Sequence, residues 1–91
     1  MFQRKIKKDF DRLVRQVEIK NDIPEYRIEE IKELAENNEI VLAFDVLNES
    51  ILEFMSVLEE EIYEEIVSLA AKKEFNLPQD RYAFLEKMVA Y

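Results

Sequence analysis

The sequence predicts an all-α fold: a compact, single-domain bundle of four to five short helices spanning residues 1–91. Three observations carry this expectation. The chain contains no glycine, and glycine supplies the tight turns on which hairpin-rich β folds depend. Apolar residues recur at helical spacing along most of its length. The interruptions are short, and proline and asparagine make them.

The first helix is expected over about residues 2–18. Phe2, Ile6, Phe10, Leu13, Val14 and Val17 form one apolar stripe. Asn21, Asp22, Ile23 and Pro24 end it, because proline restricts the residue before it and suits the first turn of a new helix. The second helix follows over about residues 24–36, with Ile28, Ile31, Leu34 and Ala35 inward. Asn37 and Asn38 make the next turn, since asparagine tolerates the left-handed backbone that glycine usually supplies.

The third helix is expected over about residues 39–54. Ile40, Ala43, Phe44, Leu47, Ile51 and Phe54 share one face, while Val41, Leu42, Val46 and Leu52 lie around the rest. A helix apolar on most sides is usually central, so this one is expected in the middle of the bundle. Ser56 followed by Glu59 reads as a capping box that opens helix four, which should run to about Lys73. Leu58, Ile62, Ile66, Leu69 and Ala70 face inward, acids fill its first turn, and Lys72 and Lys73 fill its last. Both ends suit the helix dipole. Asn76 and Pro78 then break the chain, and a short last helix carries Tyr82, Leu85, Met88 and Val89. No strand is expected. Tyr63 and Tyr91 fall off the apolar stripes and are candidate exposed anchors.

Composition excludes several kinds of chemistry. There is no cysteine and no histidine. The usual zinc ligands, nucleophile–base pairs and near-neutral pH switch are therefore missing. Without glycine there is no Gly-rich phosphate loop. No metal site, cofactor or catalytic residue is expected, and the protein should not be an enzyme. No apolar run is long enough to span a membrane. The N-terminal stretch lacks a signal-peptide pattern, so a cytoplasmic setting is expected.

Net charge is −8, and it is uneven. Residues 1–20 hold seven basic and three acidic side chains, whereas residues 21–91 hold six basic and eighteen acidic ones. The expectation is a basic first helix on an acidic body of about residues 24–90. Such a body repels nucleic acid and attracts basic proteins. The first helix is amphipathic, but Asp9, Asp11 and Glu18 dilute its charge. It is expected to offset acids of the body instead of binding a membrane.

Two acidic groupings are candidate partner-binding sites. Asp45, Glu49 and Glu53 stand four residues apart on helix three with no basic residue between them on that stripe. Like charges at that spacing repel by about 0.2–0.5 kcal/mol per pair, which suits a surface kept for a cationic partner. Glu60, Glu61 and Glu64 form the second grouping. If helices three and four were neighbours joined by a tight turn, the two groups would merge into one negative face. Glu53 and Ser56 have a further reading as structural residues: Glu53 accepting backbone N–H groups of the turn, Ser56 capping helix four.

The segment Ile31 to Val89 resembles the MafI family of immunity proteins, which accompany toxins delivered between competing bacteria. The residues that carry the resemblance are Glu39, Leu42, Ala43, Phe44, Asp45, Leu47, Ile51, Glu53, Leu58, Tyr63, Ile66 and Leu69. Their core is the pattern E-x-x-L-A-F-D-x-L with an acid eight residues after Asp45. Where the family often has a glycine before the position of Glu39, this chain has Asn38. The resemblance implies a cytoplasmic antitoxin that binds and neutralises the toxin domain encoded beside it, often a nuclease and sometimes one similar to EndoU ribonucleases. A monomer is the expected state. The alternatives are a helical adaptor or structural subunit, and an acidic mimic of nucleic acid.

Overall fold

The computed structural model describes the backbone of residues 2–90 and the side chains of residues 5–90. Four α-helices appear in chain order: α1 (Phe2–Ile19), α2 (Glu25–Glu36), α3 (Ile40–Phe54) and α4 (Glu60–Ala70). Two 3₁₀ segments, Gln79–Arg81 and Ala83–Met88, follow α4. A two-residue strand β1 (Leu58–Glu59) pairs in parallel with β2 (Val89–Ala90), in the register Leu58 to Val89. The chain is thus all-α, with a minimal strand pair that the periodicity does not announce. Tyr91 and the side chain of Phe2 lie outside the described residues.

Asparagine takes the left-handed backbone after α1, after α2 and in the turn that follows α4, where glycine would be usual. Asn21, Asn38 and Asn76 have φ values of 62°, 64° and 45°. At the end of α2 the Asn38 N–H donates to the Ala35 carbonyl (3.2 Å) and the Glu39 N–H to the Leu34 carbonyl (2.9 Å). This is the pair of reversed bonds that closes a Schellman motif. Pro24 opens α2, where its missing N–H is no loss: its carbonyl accepts from the Arg27 and Ile28 N–H groups.

The apolar stripes meet in one core. Phe10, Leu13 and Val17 of α1, Ile28 and Ile31 of α2, Phe44, Leu47 and Ile51 of α3, and Ile66 of α4 are all buried. Three phenylalanines tie distant segments together: Phe44 meets Phe75 edge-on at 4.7 Å and Phe10 at 5.8 Å. The Cα radius of gyration is 12.1 Å, against roughly 12 Å for a compact domain of this length.

Two expectations about packing need correction. Helix α3 is not wrapped on all sides. It packs on α2, α1 and the second 3₁₀ segment, and its outer face keeps Val41, Leu42 and Leu52 in solvent. Helix α4 packs on α1 and the strand pair, with little direct contact to α3. The reason lies in residues 55–59. Met55 and Leu58 are buried there, and Met55 and Glu59 have extended backbone. The chain is carried away from α3 before α4 begins. The last apolar segment, expected as a helix, is two 3₁₀ turns divided by Tyr82 at φ −137°, a break typical of short segments held by tertiary contacts.

Among the described residues, no helix is long and apolar enough to cross a membrane. Helix α1 engages the acidic body as its charge pattern suggests. Lys7 pairs with Glu36 (3.2 Å), Lys20 with Glu59 (2.6 Å), Arg12 with Glu65 (3.6 Å), and Glu18 with Lys32 (3.1 Å). Hydrogen bonds to Glu36 and then Asp11 hold the Lys7 ammonium above its ordinary range.

Candidate protein-interaction face

The solvent side of α3 has an unusual makeup for so small a protein. Leu42 is 48% exposed and Leu52 45% exposed, and Val41 is exposed beside them. Their helical positions interleave with Asp45, Glu49 and Glu53, which lie at four-residue spacing. A chain with a core this small leaves large aliphatic side chains in water on the same helix face as its acids. An apolar centre with a polar rim is a common arrangement at protein interfaces, which makes this face the candidate.

The three acids of that face have different surroundings. Asp45 is mostly buried, and Arg81 donates to it from Nη1 at 2.6 Å. The backbone carbonyl of Arg81 also faces Asn48 Nδ2 at 3.5 Å. Asp45 thus fastens the first 3₁₀ segment to α3. Glu53 is 57% exposed, and Arg27 Nη1 approaches it at 3.4 Å. The stripe is therefore relieved by cations from other elements, which spacing within one helix could not show. Glu49 is exposed and has no ion pair among the described residues.

Arg27 organises the α2 side of this face. Its Nη1 donates to Ser50 Oγ at 3.1 Å, and Ser50 in turn donates to the Val46 carbonyl at 2.6 Å. The guanidinium lies 5.3 Å from the Phe54 ring centroid and 5.8 Å from that of Tyr26, within range for cation–π attraction. Tyr26, 64% exposed, lies beside Arg27 on α2. Arg27 does not stand out in the sequence, because it is a charged residue of α2 that meets α3 only through tertiary packing.

Glu53 does not act as the junction acceptor expected of it. The Met55 N–H bonds to the Ile51 carbonyl, and the Glu53 carboxylate turns to Arg27. Ser56 does not cap α4 either. It is an exposed bend residue, α4 starts at Glu60, and the N-cap Glu59 makes no side-chain cap bond. Glu60, Glu61 and Glu64 are exposed on α4, without ion pairs among the described residues. Glu61 lines a groove of about 330 Å³ between α1 and α4, beside Ile19, Lys20 and Glu59. Because α4 packs on α1 and α3 packs on α2, the two acidic groups do not form one continuous face. Tyr63, expected as an exposed anchor, is half-buried and packs against the core.

Comparison with known proteins adds no relative: no protein-family profile matches the chain, and no curated protein or solved structure matches it. What the fold and the face define is a class, a small all-α domain with a mixed aliphatic and acidic helix surface.

Proposed function

We propose that this chain is an immunity protein, a non-catalytic antitoxin that binds and neutralises a basic toxin domain, with the outer face of α3 as its principal contact. One observation carries the reading. Most of the pattern that resembles the MafI family falls on α3, and Leu42 within it stands about half exposed. Ala43, Phe44 and Leu47 of that pattern are buried, and Asp45 holds Arg81. Leu42 is 48% exposed, about two helical turns from Glu49 on the same face, and Glu49 has no ion pair among the described residues.

The proposed mechanism is occlusion. Nucleases hold phosphates with basic surfaces. An aliphatic patch ringed by carboxylates can seat on such a surface, exclude water around one buried charge pair, and deny the site to substrate. Glu60, Glu61 and Glu64, on a different surface, would speed encounter through long-range attraction without being buried. A standard interface buries about 800 Å² per partner, more than one helix face offers, so Tyr26 and the Arg27 side of α2 belong to the contact as well.

The test is co-expression with the protein encoded beside it. The reading expects a stable complex and protection of cells that make the toxin. If the neighbouring product neither binds nor harms cells, the adaptor reading replaces it.

A further inference from the structure

Helix α1 carries a surface of the contrary sign to the α3 face. Lys5, Lys8, Arg12 and Arg15 follow one another at spacings of three and four, and all are exposed. Residues so spaced share one helix face. Ile19, 73% exposed, extends the same line at its C-terminal end. Lys5, Lys8 and Arg15 have no ion pair among the described residues, while Arg12 is engaged by Asp9 (3.3 Å) and Glu65 (3.6 Å). Three of the four cations in this row thus have no ion pair among the described residues.

The orientation of this row follows from the core. The buried faces of α1 and α3 meet at Phe10 and Phe44, with ring centroids 5.8 Å apart. Their solvent faces therefore lie on different sides of that contact, one basic and ending in an exposed isoleucine, the other acidic among exposed leucines. The basic row from Lys5 to Ile19 is about 21 Å long and the α3 face from Leu42 to Glu53 about 17 Å, at about 1.5 Å per residue.

We propose that these two faces recognise each other on different copies of the chain, α1 of one protomer docking on α3 of the next, head to tail. Symmetric pairings are disfavoured by charge. Two α1 faces would oppose cations to cations, and two α3 faces would oppose Glu49 and Glu53 to themselves. A head-to-tail contact brings unlike charges together and covers the exposed aliphatics of both faces. Such a contact is heterologous and leaves a free face at each end, so association grows with concentration. The net charge of −8 opposes it at long range, which keeps it weak. Association would also cover the α3 surface and hold it closed until a tighter partner displaces the neighbouring copy. The inference itself does not depend on the identity of that partner.

The sign of the salt effect is diagnostic. Repulsion between molecules of like net charge is relieved by salt, so salt would promote a contact driven by aliphatic surface alone. Contact between complementary faces is screened by salt and weakens. Sedimentation velocity of the full chain should show oligomers at about 20 mM salt that dissociate by about 300 mM, with the apparent affinity falling about tenfold or more. Lys5→Glu/Lys8→Glu/Arg15→Glu and Leu42→Lys/Glu49→Lys should each be monomeric. Mixed together they should form a one-to-one heterodimer, because the first keeps a native α3 face and the second a native α1 face. All substituted positions are exposed, and circular dichroism checks that each variant is folded. A parent chain that stays monomeric at low salt overturns the proposal, as does association that strengthens with salt. Folded variants whose mixture stays monomeric also overturn it. So does a monomeric parent whose basic row binds phosphatidylserine vesicles instead, which would make the row a membrane-surface site.

Discussion

Replacing Arg27 by alanine should destabilise the fold far more than replacing Glu53 by glutamine, although the two side chains meet. The Arg27 side chain is 21% exposed and its guanidinium serves several groups at once. Its bond to Ser50 Oγ at 3.1 Å joins a charged donor to a buried hydroxyl, worth about 1.5–3 kcal/mol. Ser50 retains its own bond to the Val46 carbonyl, which moderates the loss. The ion pairs to Glu53 and Glu30, at 3.4 and 3.5 Å, are exposed on the acidic side and contribute about 0–1 kcal/mol each. The contacts over Phe54 and Tyr26 add about 0.5–1 kcal/mol. Arg27→Ala should then cost about 2–3 kcal/mol, against a total stability of about 5–14 kcal/mol for a chain of this size. Glu53→Gln removes only the long surface pair and should cost less than about 0.5 kcal/mol. Equilibrium unfolding in urea separates these values. With m near 1–2 kcal/mol/M the alanine variant should shift its midpoint by about 1–3 M, and the glutamine variant by a few tenths. A Glu53→Gln loss of about 1 kcal/mol or more, the size of a lost cap, would refute the argument. It would mean that Glu53 serves the α3 junction and not Arg27.

Other consequences follow from the same geometry. Asn38→Gly should raise the urea midpoint and Asn38→Ala should lower it, because φ is 64° there and only glycine takes that backbone freely; equal effects would contradict the Schellman closure. Phe44→Ala should cost about 3–5 kcal/mol by calorimetry or urea, whereas Phe44→Leu should cost less, having lost chiefly the ring contacts to Phe10 and Phe75. Arg81→Ala should leave the helical circular dichroism nearly unchanged while speeding hydrogen exchange in residues 79–90, since the Asp45 bond fastens that segment. Partner binding should be flat from pH 6 to 8, because the chain has no histidine to titrate there; a step in affinity within that range would point to a titrating group on the partner.

The helices were largely legible in the sequence, and so were the ends of the first three; α4 instead runs from Glu60 to Ala70, short of the Lys72 and Lys73 expected in its last turn. The first three differ from expectation by one residue at most at either end. Asn38 could be read as a left-handed turn residue because the chain offers no glycine for the task. Illegible features were those set by long-range contact. Residues 55–59 carry a plausible capping pattern at Ser56 and Glu59, yet Leu58 is drawn into the core and paired beside Val89, a partner thirty-one positions away. The same holds for the acidic stripe. Spacing identified Asp45, Glu49 and Glu53 as one line, but the cations that divide their roles, Arg81 and Arg27, arrive from other segments. The exposure of Leu42 and Leu52 was hidden for a related reason. Periodicity says that a helix is apolar all round, not whether enough chain exists to cover it.

The decisive measurement is the binding kinetics of the protein encoded beside this chain, the toxin under the reading proposed above, against two folded variants. Leu42→Lys/Glu49→Lys alters the α3 face, and Glu60→Lys/Glu64→Lys alters exposed acids on a different surface. The account predicts that the first variant dissociates faster by at least about thirtyfold, as loss of a buried charge pair worth about 2–5 kcal/mol implies, and no longer protects cells. The second should bind more slowly, chiefly at low salt, and still protect. A folded Leu42→Lys/Glu49→Lys variant that binds and protects like the parent would contradict the account and leave the α3 face as ordinary solvated surface.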